Sequence, residues 1–88
     1  MKAVEGFTKE DYKKECAADG GEVFEFRTCE DAAKHLANMA GYAVEVAKEG
    51  ILNDTNCDWV IFGDGSVLFR YYGVNYDKEY IERLREIA

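Results

Sequence analysis

Three cysteines and one histidine are the residues best suited to covalent or metal chemistry in this chain, and their spacing supports neither. Cys16, Cys29 and Cys57 form no CxxC pair, and His35 follows Cys29 by six positions. On a helix that separation puts thiol and imidazole on different faces, so activation of a thiolate by a neighbouring base is not built locally. Tetrahedral zinc sites take their ligands in close pairs, which these scattered residues do not supply. An odd number of isolated cysteines also argues against a disulfide framework and fits reduced, buried thiols.

The segment DTNCDWVIFGDG sets Asp54, Asn56 and Asp58 at alternate positions, as a calcium-binding loop does. Its sixth position is Trp59 where such a loop needs glycine, and its twelfth is Gly65 where it needs a bidentate glutamate. The pair Gly63 and Gly65 around Asp64 has no lysine or hydroxyl residue at phosphate-loop spacing and opens no helix, so it reads as a turn. Eighteen scattered carboxylates single out no general acid and base. No catalytic residue, metal site or cofactor is expected, and the protein is not expected to be an enzyme.

The acids matter more as an arrangement. Eighteen Asp and Glu against eleven Lys and Arg give a net charge of −7, which repels nucleic acid and anionic membrane surfaces. Asp11, Glu15 and Asp19 follow one another at successive helical turns, although each like-charged pair at that spacing costs roughly 0.2–0.5 kcal/mol. Such a row resembles a track of phosphates and fits a basic protein surface. Glu79, Glu82 and Glu86 form a second row, diluted by Arg83 and Arg85, and Tyr72 and Tyr76 stand between the two as candidate anchors. The plain alternative is that both rows are solvated helix faces.

These side chains need elements to hold them. Phe7, Thr8 and Asp11 carry a helix start, with Thr8 as cap, Asp11 reaching back and Phe7 stapled on Tyr12. Tyr12 and Cys16 make its apolar stripe, and Gly20 with Gly21 ends it. Residues 22–27 alternate as a strand. Thr28 caps a second helix, predicted to run to Gly50, unless Gly41 stops it and releases 42–46 as a strand. Residues 51–56 form a polar connection anchored by Ile51 and Leu52.

Residues 57–72 form a β-hairpin. With Gly63, Asp64 and Gly65 as a three-residue turn and Gly65 left-handed, Asp58 lies opposite Arg70. Cys57, Trp59, Ile61, Val67, Phe69 and Tyr71 then share the face that meets the helices. The other face, with Asp58, Val60, Phe62, Ser66, Leu68, Arg70 and Tyr72, is too apolar for water and must be covered by another helix, a second subunit or a target. A last helix, capped by Asn75 or Asp77, carries Tyr80 or Ile81, Leu84 and Ile87 at helical spacing.

The expectation is one α+β domain over residues 1–88 in the order helix, strand, helix, strand, strand, helix. With neither a signal-peptide pattern nor an apolar run near the ~18–20 residues of a membrane span, a cytoplasmic location is expected.

With GDGSVLFRYY followed by YIERLREIA, the whole chain resembles the small phage-encoded anti-CRISPR proteins in size, acidity and helix-backed hairpin. The resemblance implies a non-enzymatic inhibitor in the host cytoplasm that binds a CRISPR effector complex, often at a DNA-binding or guide-adjacent surface. It assigns no contact residue, so Asp11, Glu15, Asp19, Glu79, Glu82, Glu86, Tyr72 and Tyr76 are candidates from charge and aromatic placement alone. The competing expectation is a structural or regulatory module of a phage or bacterium that forms a homodimer through the second hairpin face.

Overall fold

The computed structural model describes residues 1–41, 43–73 and 78–87, without the side chains of 39, 40 and 87. In chain order the elements are α1 (Lys9–Ala18), β1 (Glu22–Phe26), α2 (Cys29–Ala40), α3 (Val44–Leu52), β2 (Trp59–Ile61), β3 (Val67–Tyr71) and α4 (Lys78–Ile87). The fold is α+β, and its sheet is antiparallel in the order β1-β3-β2.

The hairpin adopts the register that separates its side chains best. Trp59 pairs with Phe69, Val60 with Leu68 and Ile61 with Val67. The three-residue turn closes through Phe62 N–H donating to Ser66 O at 2.9 Å and Gly65 N–H donating to Phe62 O at 2.9 Å. Gly65 holds φ at +89°, a conformation that costs glycine little and side-chain-bearing residues more. Asp64 braces the turn by accepting from the Ser66 amide at 2.9 Å and the Ser66 hydroxyl at 2.5 Å.

β3 is the central strand, and both of its faces are sealed. On one side Phe24, Phe26, Trp59, Val67 and Phe69 pack against Ala32, Ala33, Leu36 and Ala37 of α2, Ala47 and Ile51 of α3, and Ile81 and Leu84 of α4. The Trp59 and Phe69 rings stack across the strands at 4.3 Å. On the other side Val60, Phe62 and Leu68 pack against Tyr12 and Cys16 of α1, with Phe7, Ala3 and Met1 around them. A helix of this same chain therefore covers the second hairpin face, and the apolar surface that motivated a homodimer there is already used.

The second helical region departs from both options read in the sequence. Gly41 does stop α2, at φ +78° with its N–H donating to Ala37 O at 2.9 Å, but the chain then opens a new helix at Val44 where a strand was the alternative. α2 and α3 fold side by side because small residues, Ala33 and Ala37 on one and Ala47 on the other, let them approach. Gly50 lies inside α3, which runs on to Leu52, so it is not the stop the sequence implied. Ile51 is the anchor of that stretch, while Leu52 is exposed. Tyr42 and the expected α4 caps Asn75 and Asp77 lie outside the described residues.

Cys57 is the exception to hairpin alternation. Its φ of +60° rotates it out of the Trp59 face and into the α1 cluster. The turn before it is tied by Asp54, whose Oδ2 accepts from the amides of Asp58 at 3.0 Å and Trp59 at 3.3 Å. The alternating Asp54, Asn56 and Asp58 thus belong to the entry into β2. Segment 1–3 runs beside the outer edge of that strand through Ala3 N–H to Ile61 O at 2.8 Å and Ile61 N–H to Met1 O at 2.7 Å.

Two predictions test this architecture. Leu68→Ala empties a fully buried position on the central strand and should cost about 2–5 kcal/mol in chemical denaturation. The second concerns pH. Arg85 holds Glu22, and Lys13 with Lys9 holds Glu25, below their ordinary value of 4.5, and Lys48 does the same for Glu30. These carboxylates release protons more readily folded than unfolded, so the stability they add is present above the unfolded value and is lost as pH falls through the folded ones. The thermal midpoint should hold from neutrality down to about pH 5 and fall on further acidification, less steeply in high salt because the pairs are exposed.

Candidate protein-binding site

α1 has two chemically different flanks on either side of its buried stripe. Tyr12 and Cys16 face the sheet, and the capping box of Thr8 and Asp11 fixes where the helix begins, with Asp11 N–H donating to Thr8 Oγ1 at 3.1 Å. Phe7 packs edge-on against Tyr12 at 6.1 Å between ring centroids and sets the direction from which the chain enters. The Tyr12 hydroxyl donates to Cys57 O at 2.5 Å, and burial pushes its pKa well above the ordinary 10.0, so it stays a donor. The rotation of α1 about its axis is therefore fixed.

That rotation sends Lys9 and Lys13 toward β1. Lys9 Nζ lies 3.3 Å from Glu25 Oε2 and 2.7 Å from Asp64 Oδ2, and Lys13 Nζ lies 3.1 Å from Glu25 Oε1. The hydrogen bond from Lys9 holds the Asp64 carboxyl well below its usual range, with Ser66 contributing. The opposite flank carries Asp11, Glu15 and Asp19, all exposed. Among the described residues none of the three enters an ion pair.

Next to the acidic flank, α1 and segment 1–7 enclose a largely apolar cavity of about 300 Å³. Val4, Phe7, Tyr12 and Val60 form its apolar walls, Glu15 and Arg70 are its charged side chains, and Met1 also lines it, with its ammonium donating to Ile51 O at 2.5 Å and Trp59 O at 2.7 Å. Arg70 is committed within the fold. Its Nε lies 3.3 Å from Asp58 Oδ1, its Nη2 donates to Asn56 O at 2.5 Å, and its guanidinium sits over the Tyr72 ring at 5.1 Å. The Tyr72 phenol has its pKa raised, chiefly by its hydrogen bond with Cys16, and its ring lies against Gly21.

The eight candidates from the sequence do not make one surface. Asp11, Glu15, Asp19 and Tyr72 lie on the α1 side of the sheet, where Tyr72 packs on the second cluster. Glu79, Glu82 and Glu86 ride on α4, whose Ile81 and Leu84 belong to the opposite cluster. Glu79 is paired with Arg83 at 2.9 Å, while Arg85 leaves the α4 row to grip Glu22 with contacts of 2.6 to 3.1 Å. Tyr76 lies outside the described residues. The sheet thus stands between the two acidic rows.

His35 and Cys29 belong to the α2 side, where His35 lies 5.3 Å from the Phe26 ring, whereas Cys16 and Cys57 belong to the α1 side. The sheet separates the imidazole from those two thiols. Among the described residues no group of three or more His, Cys, Asp or Glu is placed to hold a metal ion, and no helix is long and apolar enough to cross a membrane. Sequence reasoning missed Val4 and the part that segment 1–7 plays in the cavity; the only signal was the alternation of Met1 and Ala3 with Lys2, too short to register as a strand.

No family model matches this chain, and no curated protein or solved structure matches it either.

Gly21 tests how tightly this side is built. A Cβ there would stand 2.4 Å from Tyr72 Cε1 and 3.1 Å from Cys16 O. Gly21→Ala should therefore push the Tyr72 ring off Arg70 and cost about 1–3 kcal/mol. Shifts of the Tyr72 ring resonances and a lower denaturation midpoint would report it.

Proposed function

We propose that this protein is a small non-enzymatic inhibitor that works by binding, with the acidic flank of α1 laid against a basic surface of a nucleic-acid-handling protein. The observation that carries this reading is the asymmetry of α1. Lysines on one flank are matched by carboxylates of the same chain, while Asp11, Glu15 and Asp19 on the other are exposed and outside any ion pair among the described residues. Apart from the Asp11 carboxylate that accepts from the Thr8 amide at 3.3 Å, this row adds nothing to folding and its like charges weaken the helix that bears them, the kind of feature a cationic partner would use. At a net charge of −7 the chain would compete with nucleic acid for the partner's groove and would not bind nucleic acid itself. The resemblance to anti-CRISPR proteins places a CRISPR effector complex first among the candidate partners. Glu79, Glu82 and Glu86, on the far side of the sheet, would belong to a second contact or to none.

Capture of a partner from host lysate, with competition by duplex DNA, is the direct experiment. DNA should displace the protein. Simultaneous Glu15→Lys and Asp19→Lys, which spare the capping carboxylate of Asp11, should cut the association rate by roughly tenfold or more at low salt, with the circular dichroism spectrum unchanged. Undiminished binding by the reversed variant would remove the electrostatic basis of the proposal.

A further inference from the structure

The cavity beside α1 gives the acidic flank a second recognition element. We infer that it is an anchor pocket for one large apolar side chain carried on a basic segment of the partner protein. In this arrangement the apolar residue is buried among Val4, Phe7, Tyr12 and Val60, and a lysine or arginine next to it meets Glu15. The inference rests on the reading of α1 as the binding surface and names what that surface selects.

Three observations commit the pocket to this occupant. At about 300 Å³ the cavity stands at the lower limit of small-ligand sites and suits a single side chain better than a cofactor. Val4, on its wall, is 70% exposed, so a large aliphatic group stands in water at the place an anchor would cover. The charged group left for a partner beside the pocket is Glu15: Arg70 is already held by Asp58, Asn56 and Tyr72, and the Met1 ammonium is turned onto the carbonyls of Ile51 and Trp59, while Glu15 is outside any ion pair among the described residues and continues into Asp11 and Asp19. A fatty acid or other apolar anion would bring its carboxylate against Glu15. A second copy of this chain would bring its own net charge of −7. A cationic segment with an apolar residue meets neither penalty, and buried anchors ringed by complementary charge are how hot spots at protein interfaces are built.

Two fluorescent lysine-rich peptides of equal charge, one with a central leucine and one with serine in its place, provide the test. Fluorescence anisotropy with the full chain at low salt should find the leucine peptide bound roughly tenfold or more tighter, the gain expected from burying one aliphatic side chain. Val4→Asn, at an exposed position, should abolish that preference. In amide NMR spectra of the unmodified chain, the leucine peptide should shift Val4, Phe7 and Val60, and the serine peptide should shift only α1.

Equal affinity for the two peptides, with both lost on reversing Glu15 and Asp19, would overturn the pocket and leave the acidic surface standing. Binding of neither peptide would overturn both. Leucine-peptide binding that survives the reversal would overturn the charge-matched partner. Pocket shifts caused by an uncharged aliphatic alcohol but not by the peptide would make this a small-molecule site, and a dimer in sedimentation whose formation blocks the pocket shifts would assign it to a second copy; each result overturns the proposal.

Discussion

The structure depends on sealing the central strand from both sides. Val67, Leu68 and Phe69 are each 0% exposed, so alternation along β3 offers no wet face, and the sheet needs a layer above and a layer below. The broad aromatic side, with Phe24, Phe26, Trp59 and Phe69, requires the combined width of α2, α3 and α4. The narrower side, with Val60, Phe62 and Leu68, is filled by one short helix and the segment leading into it. Each buried Leu, Val or Phe contributes roughly 1.5–3 kcal/mol, which makes this division of side chains the principal stabilising term.

What was legible in the sequence follows from the same constraint. The three-residue turn is legible because its register segregates the apolar side chains, and Trp59 opposite Phe69 is the outcome. The capping residues Thr8 and Thr28 located two helix starts because a side-chain oxygen serving an amide is a local interaction. Three features were not legible. The new helix at Val44 has no side-chain cap to announce it; it exists because Ala47 and Ile51 complete a core shared with α2. Cys57 leaves its expected face through a positive φ that nothing in its residue type requires. The order β1-β3-β2 depends on long-range pairing with no local signal. For the candidate site, the row on α1 was visible as a spacing, but its separation from the α4 row by the sheet, and the cavity beside it, needed the fold.

The division of labour on α1 is likewise a matter of rotation. Once Tyr12 and Cys16 point at the sheet, a lysine flank must face β1 and a carboxylate flank must face away from it. Glu25 and Asp64 answer the lysines, joining the helix to β1 and to the hairpin turn, while the carboxylates opposite carry no share of that attachment. Positions with and without a role in docking the helix are thus neighbours on it.

At ten residues α1 is shorter than the ~12–15 that an isolated helix needs in water, and its aligned carboxylates weaken it further. The helix should accordingly exist only while it is docked, and the docked state is also the one in which β3 is closed. A ligand that grips the outside of this helix would therefore act as a clasp on the interior. By mass action it would raise the melting point of the whole protein in proportion to the logarithm of its own concentration, so that occupancy and foldedness become one equilibrium.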